Sequence, residues 1–196
     1  MTYGDMRDYI LQLINQYSMT GSKVPITYND QADALARIPA LVRDALAYVT
    51  TTTRRLRAVA ELAGPRQLGG LWVYDLPGDF FQAAGGLWRR EGSEVRRVHG
   101  YRFLGSRQVA VTKGGEYLLE YFRYPVIPRG TPGDNEPLDC PEEAAAAVAL
   151  YAAAHLVMDD NAYLYAALYA EFERRLQRLS EGVGAEWGRV VNDYGD

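Results

Sequence analysis

Met6, Tyr9, Ile10, Leu13, Ile14 and Tyr17 recur at intervals of three and four with polar residues between them, which defines one apolar face of a first helix. The stretch SMTGSKVP, from Ser18, breaks it. A second helical pattern opens near Asn29 or Asp30, where an Asx side chain can cap. It continues through Leu35, Ile38, Leu41, Val42, Ala45, Leu46, Val49, Leu56 and Val59, to about Ala63. Pro39 falls inside this pattern and predicts a kink or a tight break, because proline removes an amide donor. Thr50 to Thr53 are poor helix formers, but their hydroxyls can bond back to the preceding turn, and the flanking apolar residues stay in phase.

From Gly64 to Arg129 the helical period disappears. Paired glycines alternate with short runs of aromatic and β-branched residues: GLWVYDLPGDF, GLWRREG, EVRRVHGYRFLG, RQVAVTKGG and EYLLEYFRYP. These predict five or six short strands, with turns at the glycines and at Pro77. Too few residues separate them for crossover helices, so the pairing should be antiparallel.

Helical periodicity returns after PVIPRGTPGDNEPLD. Asp139 or Cys140 is expected to cap a third helix, with Pro141 in its first turn and Glu142 and Glu143 facing its positive end. Alanines at 144 to 147, 149 and 152 to 154 allow close approach of a partner helix, while Val148, Leu150, Tyr151, Leu156, Val157 and Met158 add bulk on more than one side. The sequence MDDN then permits only a tight reversal, with Asp160 or Asn161 as the next cap, so a fourth helix should run antiparallel to the third. Leu164, Leu168, Phe172, Leu176 and Leu179 form its inward stripe. Tyr163, Tyr165 and Tyr169 widen the aromatic surface beyond that stripe and suit a subunit contact or the margin of a monomer core. The fold class expected is α+β: an antiparallel helical bundle (residues 1–63 and 130–180) with an inserted antiparallel β domain (64–129) and a C-terminal tail (181–196).

Length and composition narrow the function. A chain of 196 residues can bury a core without staples. Its single cysteine, Cys140, provides neither a disulfide nor zinc spacing and fits a reducing compartment. The opening residues mix charge into their apolar positions and do not read as a signal peptide. The alanine-rich run stops at Asp159, too short for a membrane span. A formal net charge of −4 argues against tight nucleic-acid binding, although Arg89, Arg90, Arg96, Arg97, Arg102 and Arg107 form a local basic cluster among aromatic strands.

Candidate chemistry is sparse. His155 and Asp159 stand four apart on the third helix, but two ligands do not make a metal site, and no metal or cofactor is expected. A helix start would activate Cys140, yet Asp139, Glu142 and Glu143 oppose this. Glu142–Glu143 and Asp159–Asp160 are consecutive pairs whose side chains diverge by about 100° on a helix, which suits helix ends better than acid–base work. No Walker loop, GxGxxG, GxSxG or HExxH occurs. No catalytic residue is assigned, and the expectation is that the protein is not an enzyme.

The order of parts carries more information than any single motif. N-terminal helices lead into a β region holding "YDLPGDF" and ending "LLEYFRYPVIP", followed by "CPEEAAAAVALYAAAHLVMDDN" and "LYAALYAEFERRL". Over roughly residues 30 to 180 this resembles the head-to-tail adaptor proteins of tailed bacteriophages, including the tail tubular type. The resemblance implies a non-enzymatic virion protein at the head–tail interface, made in the host cytoplasm. It would assemble as a ring of identical copies beneath the portal protein, extend the channel through which DNA passes without sequence-specific binding, and hand on to a downstream tail or stopper protein. It also implies a C-terminal segment that reaches the portal, for which Trp187, Val191 and Tyr194 are the apolar anchors; Tyr165 and Tyr169, from the aromatic surface of the fourth helix, are the further partner-binding candidates. The alternative is a stand-alone binding module or regulator whose arginine-rich β insert binds an acidic partner or nucleic acid.

Overall fold

The computed structural model describes residues 1–16, 28–127 and 130–185. Within them the chain is mixed α+β, with four α-helices and two antiparallel sheets. It divides into two compact units, one formed by Met1–Arg54 together with Val126–Asp196 and the other by Arg55–Pro125.

The first unit holds α1 (Tyr3–Gln16), α2 (Tyr28–Thr52), α3 (Ala145–Val157) and α4 (Ala162–Ala185). Met6, Ile10 and Leu13 of α1, Ile38, Val42, Leu46 and Val49 of α2, and Leu164, Leu168 and Phe172 of α4 are all buried in one cluster, as their spacing requires. In the centre lies α3, which packs against each of the other three helices and is buried on most of its circumference. Its alanines allow this, because a helix surface without long side chains lets three neighbours approach together. α2 continues through Pro39 without interruption. Leu35, whose carbonyl loses its helical donor to the proline, is solvent-exposed, so water can take that bond. At the end of α2 the hydroxyls of Thr50, Thr51 and Thr52 donate to the carbonyls of Leu46, Ala47 and Tyr48 at 2.7, 2.6 and 2.6 Å, the back-bonding expected of them. Asn161 caps α4: its Oδ1 accepts the Leu164 amide at 2.9 Å.

Two expectations about helix ends need correction. The helix expected to reach about Ala63 stops at Thr52, and Leu56–Leu62 is strand β1. Leu56 and Val59 share a helical phase with Val49, but Val59 is 66% exposed and Leu56, Ala58, Ala60 and Leu62 alternate inward. Neither Asp139 nor Cys140 caps the third helix. A 3₁₀ turn at Glu142–Ala144 precedes α3 without a side-chain cap, and Asp139 Oδ2 accepts the Val126 amide at 2.7 Å.

The second unit has eight strands rather than five or six. β1 (Leu56–Leu62), β8 (Glu116–Arg123), β4 (Phe80–Glu91) and β5 (Glu94–Val98) form one sheet in the order β1-β8-β4-β5. β2 (Arg66–Leu68), β3 (Leu71–Asp75), β7 (Gln108–Val111) and β6 (Tyr101–Leu104) form the other, in the order β2-β3-β7-β6. Both sheets contribute to one core: Leu62, Leu87, Tyr117, Leu119 and Tyr121 from the first, Tyr74, Val109 and Val111 from the second. The β2–β3 hairpin turns on Gly69 and Gly70 with φ of 56° and 79°, the left-handed pair that a two-residue turn demands. β4 carries a bulge between Ala83 and Gly86, and the Glu120 carboxylate occupies the space a side chain at Gly85 would need.

Candidate functional site

Tyr165 and Tyr169, one turn apart on α4, stack on each other with centroids 5.5 Å apart. Both reach His155 of α3 edge-on at 6.0 Å. His155 lies flat on Tyr151 at 4.1 Å, and Tyr151 stacks in turn on Tyr48 of α2 at 5.7 Å. Phe172, buried beneath them, meets Tyr48, Tyr151 and Tyr169 at 5.3 to 6.0 Å. The result is a continuous aromatic seam across α2, α3 and α4.

The seam is not closed over. Tyr48 is 41% exposed, and Tyr151, His155, Tyr165 and Tyr169 are half-buried. Among the described residues the four tyrosine hydroxyls of the seam have no hydrogen-bond partner. The core tyrosines of the second unit are arranged differently. Tyr74 OH donates to Gly115 O at 2.6 Å, Tyr117 OH to Lys113 O at 2.6 Å and Tyr121 OH to Asp79 Oδ1 at 2.9 Å. Buried tyrosines satisfy their hydroxyls inside the protein; the seam tyrosines have no such acceptor among the described residues. Burial and the nearby Asp44 carboxylate raise the Tyr151 pKa, and burial followed by the neighbouring Tyr48 raises that of Tyr169, so both phenols stay neutral at physiological pH.

Sequence reading singled out Tyr165 and Tyr169, which lie in this seam, and missed Tyr48 and Tyr151. The signal available was the Tyr151–His155 spacing, which puts two rings on one helix face. Tyr163 is exposed and takes no part in the ring network. Trp187, Val191 and Tyr194 lie outside the described residues.

Other candidates have local roles. His155 Nδ1 lies 2.9 Å from Tyr151 O, while Asp159 sits 3.9 Å from Arg37, so the two do not converge on a common point as ligands. Among the described residues no three His, Cys, Asp or Glu side chains gather as a metal cluster would. Burial pushes the Cys140 thiol up to about 11, with Asp139 and Glu143 adding to the effect, so it is protonated and poorly nucleophilic at neutral pH. Glu143 is held below the ordinary carboxyl range by its own backbone amide, helped by Arg54 at 2.7 Å, and Glu142 opens the 3₁₀ turn beside it.

Within the arginine cluster, Arg90 bridges Glu61 at 2.9 Å and Glu116 at 3.6 Å, Arg89 binds Glu91 at 2.7 Å, and Arg96 binds Glu94 at 2.8 Å. Arg97 donates to Gly85 O at 3.1 Å and lies over the Trp88 ring at 5.9 Å. Arg102 and Arg107 have no ion-pair partner among the described residues. No described helix is long and apolar enough to cross a membrane. Compared with known proteins, the chain matches no family model and no curated protein.

Proposed function

We propose that the chain is a structural subunit of a tailed-phage virion, a head-to-tail adaptor that assembles as a ring beneath the portal protein and extends the DNA channel. On this reading the four helices are an antiparallel bundle and Arg55–Pro125 is a β domain inserted in it. The supporting observation is the aromatic seam: rings from three helices form one surface whose tyrosine hydroxyls have no internal partner among the described residues. Such side chains present large apolar area with a polar tip, as subunit contacts require. Neighbouring copies would meet there, the C-terminal segment with Trp187, Val191 and Tyr194 would anchor to the portal, and a tail or stopper protein would follow. The negative overall charge suits a wall past which DNA slides.

The test is the mass of the assembly formed when the purified protein is mixed with the portal protein of its virus. A ring-bearing complex is expected, and it should be lost in a Tyr165→Ala/Tyr169→Ala variant that still folds. Removing residues 181–196 should abolish portal association and leave the folded core intact. A portal that takes up none of the wild-type protein would overturn the proposal.

The second reading is a binding module acting through its β unit. One observation favours it: Arg66 and Arg102 lie on the two edge strands of one sheet, with Arg107 in the following loop, and none has an ion-pair partner among the described residues. Retention on DNA at physiological salt would support this reading over the adaptor.

A further inference from the structure

A recess of about 270 Å³ opens in the second unit, where β4 and β5 meet the connection from β7 to β8. Three cationic side chains line it, Arg89, Arg96 and Lys113, against one carboxylate, Glu91; Arg97 borders it through its backbone, its guanidinium lying over Trp88 on the other face of the sheet. Glu91 is already engaged by Arg89 at 2.7 Å, and Glu94 outside the recess pairs with Arg96 at 2.8 Å. Lys113 has no side-chain partner among the described residues. The site therefore carries more positive charge than its own carboxylates neutralise.

The strand register accentuates this. Arg89 on β4 stands directly opposite Arg96 on β5. Like charges in that position destabilise a sheet, and here each is offset only by a carboxylate two residues away on its own strand, Glu91 for Arg89 and Glu94 for Arg96. Arg89 is also fixed: Nη1 is held by Glu91, Nη2 donates to Gly114 O at 3.1 Å, and Nε is enclosed with no acceptor. The Arg89 guanidinium is held in place before any ligand arrives.

We propose that this recess is a phosphate-binding site. Guanidinium forks and an ammonium approaching from separate strands match a group with three or more acceptor oxygens better than a carboxylate with two. A phosphate ester fits the volume, and the open mouth lets its organic part lie outside. The assignment does not depend on the adaptor reading, and it goes beyond both functions considered above by naming the site and its ligand chemistry.

The full-length protein is titrated with pyrophosphate, and separately with a short single-stranded oligodeoxynucleotide, each at ionic strength matched with sodium chloride. Binding is followed by tryptophan fluorescence, to which Trp72, whose ring lies against Gly114, contributes, and by the melting temperature. Pyrophosphate should raise the melting temperature above the chloride control. Lys113→Ala and Arg96→Ala should each weaken it by about tenfold or more, the loss expected for one charge-assisted bond. Both side chains are exposed, so neither variant should fail to fold. If the oligonucleotide displaces pyrophosphate, the phosphates belong to a nucleic-acid backbone; if pyrophosphate binds and the oligonucleotide does not, they belong to a small ligand. Either result supports the site. No difference from chloride, unchanged affinity in both variants, or tighter binding of a polyglutamate peptide than of pyrophosphate would overturn it.

Discussion

Replacing Tyr74 with phenylalanine removes one oxygen atom from the middle of the β unit and should cost about 1–3 kcal/mol. The Tyr74 ring is fully buried and packs edge-on against Tyr117 at 5.2 Å, contacts that phenylalanine keeps. Its hydroxyl donates to Gly115 O at 2.6 Å and accepts from Gly115 N at 3.1 Å, joining β3 of one sheet to the segment that leads into β8 of the other. Each bond contributes about 0.5–1.5 kcal/mol net, and a buried group left unpaired costs about 1–3 kcal/mol. Gly115 is itself exposed, so water can replace part of what is lost, and the expected value lies near the middle of the range. In urea, about 2 kcal/mol corresponds to a midpoint shift of about 1 M at the slopes usual for small units. The assay is fluorescence-detected unfolding in a Trp187→Phe background, where signal comes only from Trp72 and Trp88, both in this unit. Tyr101→Phe is the control, because that hydroxyl has no partner among the described residues. A Tyr74→Phe midpoint no lower than the control's would refute the claim that the hydroxyl ties the sheets together.

Gly4→Ala would place a Cβ 2.9 Å from the Asp134 carbonyl oxygen, at the point where the Gly4 amide donates to that oxygen. Backbone must shift, so thermal denaturation followed at 222 nm should show a loss of about 1–3 kcal/mol, and an unchanged transition would rule out this close approach. Asn161→Ala should cost about 1 kcal/mol by the same measurement, through loss of the α4 cap. Burial, reinforced by the bond to Asp79, pushes the Tyr121 phenol from its ordinary 10.0 up to about 12. The folded state thus keeps a proton that the unfolded state releases, and stability falls as pH rises from about 10 to about 12. Tyr121→Phe should flatten part of that decline in denaturation series across this window; an identical slope would show that the phenol is not held protonated.

Much of the helical part was legible because its signals are local. The spacing of Met6, Ile10 and Leu13 gave the buried face of α1, the threonine hydroxyls kept the end of α2 helical, and Asn161, one of two candidate caps, closes the turn into α4. β1 was hidden because its inward positions include Ala58 and Ala60, too small to show a strand pattern, while Val59 happens to keep helical phase with Val49. The division into two sheets could not be read at all, since it depends on pairings such as Trp72 with Val111 that join distant segments. The aromatic seam was half legible for the same reason. Tyr165 and Tyr169 announce themselves on one helix, whereas Tyr48 joins them only through the tertiary packing of α2 against Tyr151 of α3 and Phe172 of α4.

The pairing of β1 with β8 sets Leu56 opposite Arg123, so the β unit begins and ends on adjacent, hydrogen-bonded strands. From the standpoint of the helical residues on either side, about seventy residues of chain then close with the entropy of a short turn. The saving relative to an unstructured loop of that length is roughly 2–3 kcal/mol, by the logarithmic dependence of closure entropy on length. A unit with its two ends side by side is a module: its loops and outer strands can lengthen, shrink or be exchanged with little effect on the joining of the segments that flank it. Changes of length are therefore accommodated most easily in the part of the molecule that carries the basic recess, while added volume is accommodated least among the alanine-packed helices.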